Sequence, residues 1–356
     1  MNNDQLDFAF VAELPTIAVA PRRKPVRAKT RAAAQNAAPA PAPTVACEPE
    51  QGQATSDHEA MAQRLESHAD FRVLRRLRPC LQWPTQPGAQ GVARVLVLDT
   101  ETTGLDQSKD KIIELALLRV DVDRATGMPV GAVQIYDGLE DPGIPIPKEV
   151  QGITGINDAM VRGQRLDEAR VAEMLAGVDL VIAHNAGFDR PFCEDRMAQF
   201  RLLPWACSVA DIGWKEQGRQ SAKLETLAFD LGLFYDAHRA EMDCHALLSV
   251  LARPLPQQAQ TGLAQLLARA GQESYRLQAT GAPFDAKGKL KARGYRWNAD
   301  QKVWHTRLDD ETSLQAELAW LKDHAYGRRA AAVQVEKLDA LVRYSSRSGA
   351  IAHAAL

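Results

Sequence analysis

The 356-residue chain has little that would mark a membrane protein, a disulfide-stabilised protein or a strongly charged one. No apolar stretch approaches the roughly 18 residues of a membrane span, and the opening MNNDQLDFAF lacks a basic region followed by an apolar signal core. Five cysteines without a Cys-x-x-Cys pair argue against a zinc site or a disulfide framework. Because 43 Lys and Arg face 45 Asp and Glu, the net charge of -2 gives no general attraction for nucleic acid. We therefore expect a cytoplasmic protein without membrane contact, whose basic surfaces are local.

Two carboxylates follow an apolar run that is typical of a buried strand. The run covers residues 95–98, and Asp99 and Glu101 come directly after it. Side chains alternate across a strand, so these two acids point to the same side. Their repulsion, about 1 to 4 kcal/mol at contact distance, is relieved by a hard divalent cation such as Mg²⁺ or Mn²⁺. The alternative is a strand end with two solvated acids, which an Asp-x-Glu pattern alone does not exclude.

A third acid and a histidine with a fourth acid follow later in the chain. Asp189 comes after the apolar run 179–183 and a turn, in the predicted first turn of a helix, where a simple capping role is the alternative. His238 precedes Asp243 by five residues, so the two share a site only if His238 lies on the loop that enters the helix of Asp243. An imidazole with a pKa near 6.5 accepts a proton from water near neutrality. A solvated loop histidine is the alternative.

The order of these motifs, DxE, then NAxFD, then H-x4-D, resembles the three exonuclease motifs of the DnaQ-like DEDDh superfamily, the proofreading epsilon-subunit type. PIPKEVQGITGINDAMV at 145–161 and SAKLETLAFDLGL at 221–233 resemble supporting segments of that family, so the likeness covers about residues 93–252. The resemblance implies a ribonuclease H-like α/β fold with a mixed five-stranded sheet and helices on both faces. Its first strand would end at Asp99, and strands near 111–120 and 132–139 would pair beside it.

The resemblance also implies a metal-dependent 3′→5′ exonuclease that releases nucleoside 5′-monophosphates from single-stranded or frayed DNA 3′ ends, in replication proofreading or repair. Two Mg²⁺ ions, for which Mn²⁺ substitutes, would be held by four acids. Asp99, Glu101 and Asp243 would hold the ion that activates water. Asp99 would also contact the second ion, and Asp189 would support that ion directly or through water. His238 would accept the proton of the attacking water. The implied substrate contacts are Thr102, Thr103, Gly104, Leu105 and Asn185, with a core position as the alternative for Leu105.

Two other functions are compatible with the same sequence motifs. The same acids serve exoribonucleases that trim RNA 3′ ends, and a single hydroxyl separates the two substrates. A protein that binds nucleic acid or the sliding clamp through an inactive nuclease fold is the second alternative. The intact set Asp99, Glu101, Asp189, His238 and Asp243 argues against inactivity. For the active enzyme we expect a bacterial, nucleoid-associated protein.

Around the predicted exonuclease domain, residues 93–254, the chain divides into further segments. Residues 1–56 are predicted to be a disordered tail with a basic run at 22–31 and an Ala/Pro-rich linker. Within this tail, Gln5, Leu6, Phe8 and Phe10 resemble the short peptide by which bacterial replication and repair proteins bind the sliding clamp. Residues 57–92 are predicted to form a helical extension.

Residues 255–327 predict a small α+β accessory module with helices near 260–270 and 311–325. Its basic residues interleave with Phe284, Tyr295, Trp297 and Trp304, a mixture suited to phosphate contacts and base stacking. The alternative is a small aromatic core surrounded by solvated lysines. Residues 328–356 are predicted to be a flexible tail.

Overall fold

A computed structural model describes residues 55–85, 91–327 and 329–356 of the chain. The predicted clamp peptide (Gln5, Leu6, Phe8, Phe10) and the basic run at 22–31 lie outside these residues. The expectations for them therefore remain predictions.

The first part of the described chain builds a helical entry and three long strands. In chain order it contains α1 (Thr55–Glu66), β1 (Arg75–Arg76), β2 (Gln82–Trp83), β3 (Val92–Thr102), β4 (Ile112–Asp123) and β5 (Pro129–Leu139). Short helices α2 (Lys148–Thr154), α3 (Asp158–Val161) and α4 (Glu168–Leu175) lead to β6 (Leu180–Ala183). The chain continues through α5 (Ala186–Arg196), a 3-10 turn (Ala198–Leu202), β7 (Trp205–Cys207), α6 (Ser208–Asp211), α7 (Leu224–Asp230), β8 (Leu233–Phe234) and α8 (Ala240–Leu251).

The central sheet is mixed and has helices on both faces, which confirms the predicted α/β class. Among the described residues it contains six strands in the order β2-β5-β4-β3-β6-β7, with β3 antiparallel to β4 and parallel to β6. The predicted number of five was wrong, because Gln82–Trp83 pairs with the outer edge of β5. Burial of Trp83, only 7% exposed, holds this short added strand in place.

Strand β3 continues past Asp99, where it was predicted to end. Its pairing with β4 continues through Glu101 and, after a bulge, joins Thr102 to Ile112. Asp99 and Glu101 therefore lie within a paired strand, and the sheet fixes their backbone. The strands predicted near 111–120 and 132–139 are present as β4 and β5 and pair as neighbours.

Alternating residues of β3 enter two separate hydrophobic cores. Val95 and Val97 pack with α8 on one face, and Leu96 and Leu98 pack with residues of α4 and α5 on the other. Because both faces of β3 are covered, a continuous apolar run is what this position requires. The face that carries Val95 and Val97 is also the face of Asp99.

The C-terminal part forms a second sheet. After α9 (Gly262–Ala270) come β9 (Ser274–Ala279), a 3-10 turn (Phe284–Ala286), α10 (Lys287–Ala292), β10 (Arg296–Asn298) and β11 (Val303–Leu308). They are followed by α11 (Glu311–Trp320), a π-helical turn (Leu321–Ala325), β12 (Ala332–Leu338) and β13 (Ala350–Ala355). The five strands seen in the described residues are all antiparallel, in the order β10-β11-β9-β12-β13.

The prediction of a flexible tail from residue 328 was therefore wrong for the described residues 329–356. Strand β12 pairs with β9 in the middle of the second sheet, and Val333 and Val335 enter the same core as Leu277. The alternation of small and apolar residues in this segment indicates a strand only when its partner strand is known. The helices predicted near 260–270 and 311–325 are confirmed.

Two expectations about composition can be compared with the structure. No helix in the described ranges is both long and apolar enough to cross a membrane. Cys193, Cys207 and Cys244 are free and buried, whereas Cys80 is disulfide-bonded, which the odd number of cysteines did not predict.

Candidate active site

Three carboxylates from two elements meet at one end of the central sheet. Asp99 and Glu101 come from β3, and Asp243 comes from the first turn of α8, which packs against β3 and β4. One oxygen from each of the three lies within 4.8 Å of the other two. Such a group of oxygen ligands suits a hard divalent cation. The predicted convergence of these three acids is what the structure shows.

The electrostatics of this cluster favour a cation. Burial, together with the charges of Asp189, Asp243 and Glu101, raises the pKa of Asp99 well above its ordinary value. Burial and then the charge of Asp243 raise the pKa of Glu101 to about 8. Burial also raises the pKa of Asp243, although hydrogen bonds from Tyr235 and from the His238 main chain oppose the shift. The raised pKa values show that negative charge is unfavourable on these buried acids without a cation, so the donor set fits a divalent metal ion.

Asp189 lies beside the three-carboxylate cluster and has its own support. It sits in the first turn of α5, is 2% exposed, and accepts hydrogen bonds from the Thr100 main-chain N–H at 3.1 Å and the Thr100 hydroxyl at 2.8 Å. Burial raises its pKa to about 7, against the opposing effect of Thr100. Since these bonds join α5 to β3, Asp189 does more than cap its own helix.

His238 lies on the loop that enters α8, as predicted. Its backbone adopts the left-handed region with φ of +64°, which is uncommon for a residue other than glycine. Its main-chain N–H donates to Asp243 Oδ2 at 2.8 Å, and the Tyr235 hydroxyl donates to Asp243 Oδ1 at the same distance. The His238 side chain is exposed. The backbone is thus fixed to an acid of the cluster while the imidazole faces solvent.

The turn after Glu101 is held by internal contacts. The Thr103 hydroxyl donates to Asp110 at 3.1 Å, and the Thr102 hydroxyl donates to the Gly104 carbonyl at 2.6 Å. A Cβ at Gly104 would lie 2.6 Å from the Asp110 carboxylate, so this carboxylate already requires glycine. Leu105 is 65% exposed, which excludes the core position considered for it.

Asn185, the other predicted substrate contact, precedes α5. Its backbone is left-handed with φ of +76°, and its side chain is partly buried and makes no hydrogen bond that caps the helix. The amide is thus not committed to the start of α5. The structure places it four residues before Asp189.

Comparisons with known proteins agree with this geometry. A family model for exonucleases of the RNase T type matches residues 96–251. The epsilon subunit of DNA polymerase III from Treponema pallidum (strain Nichols) is 30% identical over 165 residues, which span 43% of this chain and 72% of that subunit. The chain belongs to the DnaQ-like exonuclease family.

Other similarities either cover a smaller part of the related protein or have a lower sequence identity. The PolC-type DNA polymerase III of Thermotoga maritima is 29% identical over 182 residues, 49% of this chain but only 13% of that polymerase. A structure of exonuclease X in complex with 5′ overhanging duplex DNA has a TM-score of 0.33 and 24% identity, covering 46% of this chain and 97% of that one. A complex of E. coli exonuclease I with single-stranded DNA has a TM-score of 0.38 and 18% identity, covering 53% and 48%.

This DnaQ-like exonuclease contains one arrangement near the acids that the sequence did not predict. Glu114 of β4 is fully buried, accepts hydrogen bonds from the Arg239 guanidinium at 2.7 and 3.0 Å, and accepts the Ala240 main-chain N–H at 2.9 Å. It therefore fixes the start of α8 directly after His238. The available signal was a charged residue inside the apolar run of β4, but its partner lies 125 residues away.

Proposed function

We propose that this DnaQ-like protein is a metal-dependent 3′→5′ exonuclease that removes nucleoside 5′-monophosphates from DNA 3′ ends. The observation that supports this most is the group of three carboxylate oxygens within 4.8 Å, from Asp99, Glu101 and Asp243. Asp189 stands beside them, and its charge contributes to the raised pKa of Asp99. Mg²⁺ is the proposed ion, with two ions bound in the active complex and Mn²⁺ as a substitute.

The reaction assigns a separate task to each side chain. Asp99, Glu101 and Asp243 would hold one ion, and Asp99 with Asp189 the second; when bound, the ions supply positive charge to the attacking and departing oxygens. An imidazole nitrogen of His238 accepts a proton from the attacking water. The water oxygen bonds to phosphorus as the bond between phosphorus and the 3′ oxygen breaks. The departing 3′ oxygen takes a proton from solvent, so the products are a nucleoside 5′-monophosphate and a strand with a free 3′ hydroxyl.

The terminal nucleotide would lie against the turn of Thr102, Thr103, Gly104 and Leu105. The exposed Leu105 is free to contact the last base, and the contacts of Thr103 with Asp110 hold the turn rigid before substrate binds. Asn185 would orient the substrate. These assignments rest on the family resemblance together with the exposure of Leu105.

A direct test compares matched DNA and RNA substrates. Purified protein is incubated with single-stranded DNA, mismatched duplex DNA and RNA of the same sequence, labelled at either end, in Mg²⁺ or EDTA. We expect mononucleotides from the 3′ end of DNA and none in EDTA. Faster release from RNA would instead establish an exoribonuclease, and release from the 5′ end or in EDTA would contradict the proposal.

We propose further that the C-terminal module (255–327) contacts single-stranded nucleic acid. The structure separates its aromatic residues into two groups: Tyr295 and Trp304 enter the core, whereas Phe284 and Trp297 are 79% and 48% exposed. Trp297 lies on the edge strand β10 beside Trp304, with ring centroids 5.5 Å apart. The exposed basic residues on or beside α10 and β10 are Lys287, Lys289, Lys291, Arg293 and Arg296. Exposed rings next to cations suit base stacking with phosphate contacts.

Binding of labelled oligo-dT to the full chain carrying Asp99→Asn, in EDTA, tests this surface without degradation. Trp297→Ala should weaken binding about tenfold, and Lys291→Ala should reduce its salt dependence. Lys322→Ala, an exposed lysine on the π-helical turn, is the matched control. Unchanged affinity in Trp297→Ala would contradict base stacking on the Trp297 ring.

The N-terminal peptide is proposed to bind a bacterial sliding clamp through Gln5, Leu6, Phe8 and Phe10. Two aromatic residues on a short peptide are suited to a preformed pocket. A labelled peptide of residues 1–15 would be titrated with purified clamp, and binding should be lost in Gln5→Ala with Phe10→Ala. Equal binding by the altered peptide would end this idea. A bacterial replication or repair role in the cytoplasm, associated with the nucleoid, is part of the same proposal.

A further inference from the structure

The segment between β12 and β13 lies on the exonuclease sheet. We call residues 339–347 the C-terminal strap. The Ala340 carbonyl accepts the main-chain N–H of Trp205 at 2.8 Å, at the start of the edge strand β7. The strap therefore contacts the central sheet by main-chain hydrogen bonding, although both strands that flank it belong to the second sheet.

The strap supplies most of the acceptors of a fully buried arginine. Arg190 is 0% exposed, and its guanidinium donates to the Ala340 carbonyl at 3.0 Å, to the Arg343 carbonyl at 2.6 Å and to the Leu341 carbonyl. The remaining acceptor is Glu194 Oε1 at 2.6 Å, one turn further along α5. A buried guanidinium without acceptors is strongly unfavourable. Arg190 thus depends on the strap for its place.

A second ion pair joins the strap to the same helix. Arg347 donates to the two oxygens of Glu194 at 3.0 and 3.2 Å, and Glu194 is only 3% exposed. Glu194 therefore accepts from Arg190 of α5 and from Arg347 of the strap. This shared carboxylate makes the position of α5 sensitive to the strap.

The strap is also anchored to the second sheet and to the end of β7. Asp211 Oδ1 accepts the Arg307 guanidinium at 3.0 Å and the Tyr344 hydroxyl, while its Oδ2 accepts the Cys207 main-chain N–H at 2.9 Å. Arg307 belongs to β11, so one buried carboxylate joins the second sheet, the strap and the central sheet. A strap fixed at this point cannot follow α5 if the helix shifts.

Asp189 immediately precedes Arg190 on α5. Asp189 is held on one side by the main chain and hydroxyl of Thr100, and Arg190 is held on the other by the strap. We propose that the C-terminal strap is a positioning element of the exonuclease site, acting through Arg190 and Glu194 to hold Asp189 against β3. The inference rests on the proposed function in assigning Asp189 to the site. It makes the C-terminal sheet part of the catalytic unit and not a detachable accessory.

The test uses two variants at different depths in the full chain. Arg347→Ala removes a side chain that is 34% exposed, and Arg190→Met removes the buried guanidinium. We expect kcat to fall about tenfold in the first and about a hundredfold in the second, with KM for DNA unchanged, because Asp189 is misplaced while the nucleotide-binding turn is intact. Arg190→Lys, which keeps the charge, should restore part of the loss.

Hydrogen exchange at the Thr100 amide gives a readout that does not need activity. This N–H donates to Asp189 Oδ1, so its exchange should become faster in Arg347→Ala, while β12 and β13 keep their protection. Arg201→Ala is the matched control, since the Arg201 side chain pairs with exposed Asp195 nearby. If the wild-type protein proves inactive, faster exchange at Thr100 still supports the inference while the proposed function fails.

Wild-type kcat together with wild-type exchange at Thr100 in folded Arg347→Ala would overturn the inference, even if Arg190→Met does not fold. A rise in KM alone would also overturn it, because the strap would then act on substrate binding.

Discussion

The acids and the histidine of the site are held in opposite ways. Asp99 and Glu101 lie on the part of β3 that pairs with β4, and Asp189 is 2% exposed and accepts hydrogen bonds from Thr100 of the same strand. His238 instead lies on a loop with its side chain exposed, and only its backbone is fixed, through Asp243. The fold thus preorganises the proposed metal ligands, whereas the side chain of the proposed proton acceptor is free to adjust to substrate.

Asp99→Asn should have the largest effect, because it changes one of the acids that the fold holds in place. The neutral amide removes a ligand and a charge from the cluster, so mononucleotide release in Mg²⁺ should fall to the background of the assay. The fold should persist because the change relieves repulsion among buried acids. Asp121→Asn on the distant part of β4, beside Arg94, is the control and should retain activity. Activity in the Asp99 variant would refute the site.

His238→Asn should remove the exposed imidazole and leave the four carboxylates in place. Asparagine tolerates the left-handed backbone at this position better than alanine does, so loss of the imidazole is separated from strain. We expect kcat to fall about 10²-fold in single-turnover assays, with Mn²⁺ affinity unchanged. His238→Ala should show the same loss of kcat, with any cost of the left-handed backbone added to it. His353→Asn on β13 serves as the control. A near-normal rate would assign the base elsewhere.

Arg239→Met tests how Glu114 holds the start of α8 next to His238. Glu114, fully buried, would keep the Ala240 N–H but lose its cationic partner. We expect the free energy of unfolding to fall by about 2 kcal/mol, below the range for fully buried pairs because Arg239 is 43% exposed. Urea denaturation measures this, and the added change Glu114→Gln should recover part of the loss.

The exposed pair Arg76 and Asp236 provides the comparison for that experiment. Arg76→Met should cost less than about 1 kcal/mol, since both side chains are mostly in solvent. Equal losses in Arg76→Met and Arg239→Met would show that Glu114 does not hold the loop of His238.

The stability of the protein in EDTA should also depend on pH. The folded-state pKa values of Glu101 (about 8) and Asp189 (about 7) lie above the ordinary 4.5 and 3.8, so the folded protein binds more protons than the unfolded chain between these limits. Stability should therefore decrease as pH rises from about 5 to 8. We expect Tm in EDTA to fall by about 2 to 4 °C for each kcal/mol lost.

Mg²⁺ should reverse this trend, since the ion takes the place of the protons and stabilises more at pH 8 than at pH 6. Thermal melts of wild type and Asp99→Asn at pH 6, 7 and 8 measure both effects. Two results would contradict repulsion among the buried carboxylates: a wild-type Tm in EDTA that does not change with pH, or the same dependence of Tm on pH in Asp99→Asn.

The sequence predicted those features that depend on local pattern. The apolar run before Asp99, the helix that begins near Asp189 and the loop position of His238 each follow from periodicity over a few residues, and the structure shows all three. Convergence of Asp99, Glu101 and Asp243 followed from the family motifs, because their order in the chain gives no distance in space.

The features that the sequence did not predict depend on distant partners. Glu114 and Arg239 are 125 residues apart, and Arg190 bonds to carbonyls about 150 residues later. Main-chain acceptors carry no side-chain signal, so the strap around Ala340 resembled a flexible tail. Strand β12 was missed for a similar reason, since it forms by pairing with β9.

We expect Asp99, Glu101 and Asp243 together to bind a divalent cation. Titration of Mn²⁺ into the metal-free full chain, followed by electron paramagnetic resonance without DNA, tests it most directly. We expect saturable Mn²⁺ binding by wild type and Asp121→Asn that strengthens from pH 6 to pH 8 and is lost in Asp99→Asn. Equal binding by Asp99→Asn, or no binding by the wild-type protein at pH 8, would contradict it.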